Sequence, residues 1–530
     1  MSRPRDRVLE AAIAVIIAVI AYVPCRSYAY SSDDLQYLLV IREALTGTAS
    51  FHPAGLRDYD PSTNGPVQGI VNRWPINARY PLEWPTVLTW MRSQPASADA
   101  DDEIGRLVLG RALVGALGIG FFFWSLRRMG VSGPLSILAT IGLATTAAYW
   151  TYSTHPDYTI NAVFFVCVGL WVAAGRLHRP PSAGILGASV LLVCLATLYN
   201  ILAFLPVAAI LGTPLALQFR RRSVIGAAAG LAALMFIVVL VGSGAGAWSQ
   251  ISYKGIGSHN FSPAADAMRA LLGFGKSQLL YPGVGESARV FWDRASTASK
   301  AGFLGVTILS LAVMALPFLV LLVRWRALGR ERPLLVGAAA GFAGLALFNW
   351  YWDPSYIKFW AIPLVLWWFI AGVVSTRASR GVVLAVTALV IVSAVLNFTF
   401  TVRPAARRDG NRWRTIAQAL AQSPPSALFI TGGHPVDFYV IYFSRRNVVA
   451  PELISYERSG NAGAVYEAVE RQIKSHRAAG GPVYIYMPRD SANPDTVRVW
   501  SELHRIPRQP KWDFGDLSVE ELIATRSNGY

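Results

Sequence analysis

Cysteine is scarce in this chain: Cys25, Cys167 and Cys194 are the only three among 530 residues, and two of them fall inside apolar stretches. Residues spaced in this way imply neither a disulfide framework nor a thiolate metal site. Internal repeats and low-complexity tracts are lacking too. No small-residue cleavage site follows the first apolar stretch, which is also too long for a removable signal peptide. No polar segment carries a basic stripe interleaved with aromatic residues, so the formal net charge of +17 does not read as nucleic-acid binding.

What the chain has in excess is apolar surface. With 53% hydrophobic residues and 17 Trp, it holds more than a soluble protein of two or three domains buries. The expected class is an α-helical polytopic membrane protein. Spans of about 17 to 25 apolar residues cross the roughly 30 Å hydrocarbon layer. Eleven windows fit: 8–24, 105–126, 133–152, 158–175, 184–199, 201–218, 224–243, 302–323, 334–350, 359–374 and 382–400.

Arginine sets the expected orientation. Alternate connections hold Arg3, Arg5 and Arg7, then Arg127 and Arg128, Arg176 and Arg179, Arg220 to Arg222, Arg324, Arg326, Arg330 and Arg332, and finally Arg377 and Arg380. The opposing loop 25–104 carries ten acids against six arginines. By the positive-inside rule the amino terminus is cytoplasmic and the carboxyl terminus outside, as in a bacterial inner-membrane protein, with the remaining basic residues meeting lipid headgroups. Reading 184–218 as one span would put the later arginines on the wrong face.

Two domains follow from this layout: a transmembrane domain 1–401 with outer loops 25–104 and 244–301, and an extracytoplasmic domain 402–530. Short helices are expected around 33–46 and 82–92. In 402–530, apolar runs at 427–431, 448–449 and 483–487 alternate with helical patterns at 411–422, 435–443 and 461–476, which predicts a small α/β domain with a partly parallel sheet. The turn Thr431-Gly432-Gly433-His434 has only two of the glycines of a nucleotide fingerprint, so it does not define a nucleotide site.

The candidate functional residues lie at the outer ends of spans. Ser31-Ser32-Asp33-Asp34-Leu-Gln-Tyr37 places two carboxylates at the mouth of a membrane helix, where charge is costly and is seldom kept without a partner or a task. A carboxylate there can take the proton of an attacking hydroxyl; the same residues also form a good helix start, with acids suited to the helix dipole. Both readings stay open. The short connection Tyr152-Ser-Thr154-His155-Pro156-Asp157-Tyr158 returns an imidazole and another acid to the same face, unless His155 is solvated and Asp157 merely caps the next span. In Trp350-Tyr351-Trp352-Asp353-Pro354-Ser355-Tyr356-Ile357-Lys358, the lysine is either part of an interfacial aromatic belt or a point charge for a phosphate.

This order of motifs resembles the C-type glycosyltransferases, among them protein O-mannosyltransferases, lipid A aminoarabinose transferases and oligosaccharyltransferase catalytic subunits. Asp33-Asp34-Leu-Gln-Tyr37 resembles the Asp-Glu motif of the family's first outer loop, with Asp34 where glutamate is common. Arg79-Tyr80-Pro81-Leu82 is similar to its proline-rich segment, Tyr158-Thr-Ile-Asn161 to the start of its fourth span, and Trp352-Asp353-Pro354 with Lys358-Phe359-Trp360 to a segment of mannosyltransferase-like members.

The resemblance implies inverting transfer of a sugar from a polyprenyl-phosphate carrier to an extracytoplasmic acceptor, a glycan, lipid or protein. Asp33 would be the base, and Asp34 would orient it or contact the sugar. Tyr37, Tyr80, His155 and Asp157 would line the donor, while Lys358, Arg79 and Arg269 would hold the departing phosphate. No cofactor is certain. The chain lacks a clear Asp-x-Asp signature, so a divalent cation, magnesium or manganese at Asp34 and Asp157, stays an open expectation. The rival class is a transporter or a flippase of lipid-linked sugars, which tends to carry charge near the midplane and inverted repeats.

Overall fold

A computed structural model describes residues 4–30, 32–46, 82–94, 100–177, 182–218, 262–281, 295–352, 354–408, 411–431, 436–451, 462–488, 494–514 and 517–523, with four isolated positions between 226 and 233. The chain divides into two units. The first comprises Met1–Ser27, Pro75–Gln94 and Gly105–Arg407; the second comprises Tyr28–Trp74, Pro95–Ile104 and Arg408–Tyr530.

The first unit is a helical membrane bundle. Among the described residues, seven segments are long and apolar enough to cross a membrane: Val8–Cys25, Ala100–Arg128, Thr159–Arg176, Thr297–Val323, Trp325–Trp352, Ile357–Ser375 and Arg380–Ala405. Three shorter apolar helices, Gly133–Ala144, Gly184–Tyr199 and Ile201–Ala216, join them. The window 224–243 lies outside the described residues.

Ile357–Ser375 is the hub. It is apolar all round and almost wholly buried, packed against Gly133–Ala144, Thr159–Arg176, Pro263–Gln278, Thr297–Val323 and Arg332–Trp352. Peripheral helices instead leave apolar side chains such as Ile17, Ile20, Ile308, Leu309 and Val323 uncovered, as surfaces facing lipid do. Small residues set the closest approach: a Cβ on Gly337 of Arg332–Trp352 would lie 2.5 Å from the Ala209 carbonyl of Phe204–Gln218.

Two of the expected outlines change. The window 133–152 is not one helix. Gly133–Ala144 stops, Thr145 and Thr146 turn the chain, and Ala147–Thr154 restarts with Thr146 Oγ1 accepting the Tyr149 N–H at 3.1 Å. In the segment read as outer loop 244–301, Pro263–Gln278 is a helix whose residues from Gly273 to Gln278 are all buried in the bundle. The separator Tyr199-Asn200 is a real break: Asn200 is extended and its side chain caps Leu202 N–H at 3.0 Å.

The second unit is built on a five-stranded sheet, β1 (Leu428–Ile430), β2 (Asn447–Val449), β3 (Val483–Pro488), β4 (Arg508–Asp513) and β5 (Leu517–Leu522), in the order β2-β1-β3-β5-β4. The β2-β1-β3 part is parallel, as expected; β5 and β4 add antiparallel pairs. Val465, Val469 and Ile473 of Ala462–Ala478 and Val499, Trp500 and Leu503 of Pro494–Leu503 cover Leu428, Ile430, Val449, Val483 and Ile485.

The helix Ser32–Thr46 and residues 100–104 belong to this unit as well. Arg42 reaches Glu103 at 2.6 Å, with Tyr442 O–H donating to the same carboxylate at 3.0 Å. Arg414 pairs with buried Asp101, Asn411 Nδ2 donates to the Tyr28 carbonyl and to Tyr439 Oη at 2.6 Å, and Tyr439 O–H donates to the Tyr30 carbonyl at 2.9 Å.

Candidate active site

In the bundle, the connection between Ala147–Thr154 and Thr159–Arg176 is a buried, charged corner. Ser27 N–H fixes its entry by donating to the Thr154 carbonyl at 2.9 Å. His155 is 5% exposed and stands edge-on to Tyr152, with centroids 6.4 Å apart, so it is a buried imidazole and not a solvated loop residue.

Asp157 serves two neighbours at once. Its Oδ1 accepts from Thr159 N–H at 2.6 Å and from Thr159 Oγ1 at 2.5 Å, securing the first turn of the next helix. Its Oδ2 lies 2.6 Å from Lys358 Nζ. Burial alone pushes the Asp157 carboxyl upward; the Lys358 ammonium and the Thr159 hydrogen bonds oppose it and win, holding the group below the ordinary carboxylate value. Lys358 also stands 4.6 Å over the Tyr158 ring. It is therefore a structured, charge-balanced lysine and not a member of a solvent-facing aromatic belt. A phosphate arriving here would share the ammonium with Asp157.

Sequence reasoning missed the second ion pair beside the first. Glu83, at the start of Glu83–Arg92, is fully buried; its Oε1 lies 2.6 Å from Arg111 Nη2 and its Oε2 accepts from Asn161 Nδ2. Arg111 Nε donates to the Pro156 carbonyl at 3.4 Å, so this pair abuts the corner that carries Asp157. Arg269 is half exposed and binds Asp266 at 2.7 Å one turn back on its own helix. Lys276, on the same helix, is completely buried.

In the second unit, Ser32–Thr46 starts at Ser32, which puts Asp33 and Asp34 in its first turn, where the helix dipole favours negative charge. Asp34 and Tyr37 are 2% and 3% exposed. The Asp33 side chain, Arg79, Tyr80, Asp353 and the turn 432–435 lie outside the described residues. Of the predicted site residues, the structure thus brings together His155, Asp157 and Lys358 with Tyr158 in one corner, and Asp34 with Tyr37 on one helix.

For a cation, the oxygens of Asp157 are already directed to Lys358 and Thr159, and no group of three His, Cys, Asp or Glu among the described residues is placed to hold a metal ion.

A polytopic helical bundle with buried charge at helix ends and a small α/β sheet is the class of membrane protein that the geometry defines. No family model and no curated protein sequence matches the chain. Solved structures do. ArnT from Cupriavidus metallidurans bound to undecaprenyl phosphate is 14% identical, with a TM-score of 0.55 over 99% of both chains. ArnT from the same organism in the apo state is 13% identical, with a TM-score of 0.56 over 97% of both. At these identities the likeness defines the fold.

Proposed function

We propose that this protein is an inverting glycosyltransferase that moves a sugar from a polyprenyl-phosphate-linked donor to an acceptor outside the cytoplasm. The observation that carries the reading is the fold: along nearly its whole length the chain is similar to ArnT, one of whose crystal structures holds undecaprenyl phosphate. The buried charged corner and the acidic first turn of Ser32–Thr46 support it, since a lipid-linked donor must be met at the bilayer edge and its leaving phosphate needs fixed charge away from bulk water.

In the proposed reaction the Asp33 carboxylate takes the proton of an acceptor hydroxyl as that oxygen attacks the anomeric carbon. The bond from that carbon to the phosphate oxygen breaks on the opposite face, inverting the centre, and the electron pair leaves with the polyprenyl phosphate. Asp34 orients Asp33 or contacts the sugar; Tyr37, Tyr80 and His155 line the donor; Lys358, balanced by Asp157, and Arg79 and Arg269 meet the phosphate. The 402–530 segment stands outside the cytoplasm and the amino terminus inside.

The test is to give the purified full chain lipid-linked sugars extracted from the source membrane and to measure release of polyprenyl phosphate together with sugar transfer. Release with transfer to an acceptor supports the reading. Intact donor after prolonged incubation, with correctly folded protein, contradicts it.

A further inference from the structure

The break in the third apolar stretch is finished with side chains from both ends of the bundle. Where Gly133–Ala144 stops, its last carbonyls lose their helical partners, and inside hydrocarbon an unmet carbonyl is costly. Tyr22 O–H donates to the Ala144 carbonyl at 3.1 Å, and Asn397 Nδ2 donates to the Thr145 carbonyl at 2.8 Å. Tyr22 comes from the first apolar helix and Asn397 ends the last one, Arg380–Asn397, at the point where a π-helical turn begins.

Asn397 closes a second end in the same way. Its Nδ2 donates to the Gln278 carbonyl at 2.9 Å and its Oδ1 accepts from Leu280 N–H at 2.9 Å, where Pro263–Gln278 stops. Gln278 in turn bonds Ser393 at 3.0 Å and Trp368 Nε1 at 3.0 Å. Asn397 and Gln278 are fully buried.

What this junction carries is the restarted helix. Every residue of Ala147–Thr154 is buried, Tyr22 packs on its Tyr149 and Trp150, and its end delivers His155, Pro156 and Asp157. A continuous helix through Thr145 and Thr146 would send that corner elsewhere. We propose that Asn397, with Tyr22, is a positioning residue: by completing the hydrogen bonds of the broken span it sets where the Asp157 corner meets Lys358, and so sets the phosphate-binding geometry. The ligand half of this statement rests on the proposed function; the positioning half does not.

Hydrogen exchange on the full chain in nanodiscs tests it. In Asn397→Leu, amides of 147–160 should exchange at least about tenfold faster than in the wild type, because the segment opens locally. Leu389→Ala, at a buried apolar position about two turns before Asn397 on the same helix, should leave those amides within about twofold. Tyr22→Phe removes the hydrogen bonds of the Tyr22 hydroxyl with the Ala144 carbonyl and with Ser153 of the restarted helix and should speed the same segment by a smaller factor; it carries the test if Asn397→Leu does not fold. An unchanged segment in Asn397→Leu and Tyr22→Phe, or an equal rise in Leu389→Ala, overturns the positioning role.

Undecaprenyl phosphate titrated into the same samples should bind the wild type and Leu389→Ala alike, and Asn397→Leu about tenfold more weakly. Equal affinity for Asn397→Leu overturns the geometric link to the phosphate. A wild type that ignores the lipid sinks the proposed function instead, while the exchange rates still decide the positioning role.

Discussion

Lys358 closes on Asp157 at 2.6 Å, with both side chains at most 4% exposed, although 201 positions of sequence separate them. Breaking a buried pair from one side leaves an uncompensated charge and typically costs about 3 to 5 kcal/mol. Asp157→Asn and Lys358→Met should each lower stability by an amount of this order, and the charge-neutral double variant should recover most of the loss. Denaturation of the purified variants checks this. A double variant whose losses simply add would mean the pair is not coupled. The double variant should still bind undecaprenyl phosphate weakly if Lys358 serves the phosphate.

The pair also fixes a pH dependence. The Asp157 carboxyl sits lower in the folded protein than in the unfolded chain, so its stabilisation is fully present above the unfolded value of 3.8 and is lost only as pH falls through the folded one. The difference in melting temperature between the wild type and Asp157→Asn should therefore be flat from about pH 8 to pH 5 and narrow only below about pH 4. A gap that closes between pH 7 and pH 5 would show that Asp157 is not held as a carboxylate.

Two glycines of the membrane bundle should respond in opposite directions. Gly337→Ala forces a Cβ against the Ala209 carbonyl and should destabilise by about 1 to 3 kcal/mol. A Cβ on Gly212 meets nothing within 4 Å, so Gly212→Ala should be neutral or stabilise by up to about 1 kcal/mol. Thermal unfolding of the two variants side by side is the check, and the reverse order would contradict the close helix contact.

Residues 408–530 should not form a stable domain by themselves. Arg414, Asn411, Tyr439 and Tyr442 are completed by Asp101, Tyr28, Tyr30 and Glu103 from the amino-terminal part of the chain. Expressed without residues 28–104, the segment should melt lower and be cut faster by protease than when those residues are supplied. Equal stability would show that these contacts are incidental.

The sequence made the long spans legible because each is a long apolar run, and it made β1, β2 and β3 legible as short apolar runs between amphipathic helices. It hid the break at Thr145 and Thr146, since the apolar run continues through it and the groups that complete its carbonyls, Tyr22 and Asn397, are remote in the chain. Glu83 escaped notice for the same reason: its partners, Arg111 and Asn161, lie 28 and 78 positions away. β4 reads Arg508-Gln-Pro-Lys-Trp-Asp513, a polar edge strand without an apolar face, whereas Pro494–Leu503 carries Val499, Trp500 and Leu503 at helical spacing, a signal present in the sequence. Lys276 and His155 look like loop residues until packing shows them buried.

The central claim turns on Asp33. Asp33→Asn keeps the size of the side chain and much of its capping ability but cannot accept a proton. Loss of a general base typically costs about 10² to 10⁴ in rate, whereas loss of a helix-end interaction costs about 1 kcal/mol of stability. The measurement is single-turnover transfer of lipid-linked sugar by Asp33→Asn, taken beside its affinity for undecaprenyl phosphate. The account predicts affinity within about twofold of the wild type and transfer at least about a hundredfold slower, with Asp34→Asn affected less. Wild-type transfer by Asp33→Asn, Asp34→Asn and the double variant would contradict it and leave the acidic turn a purely structural one.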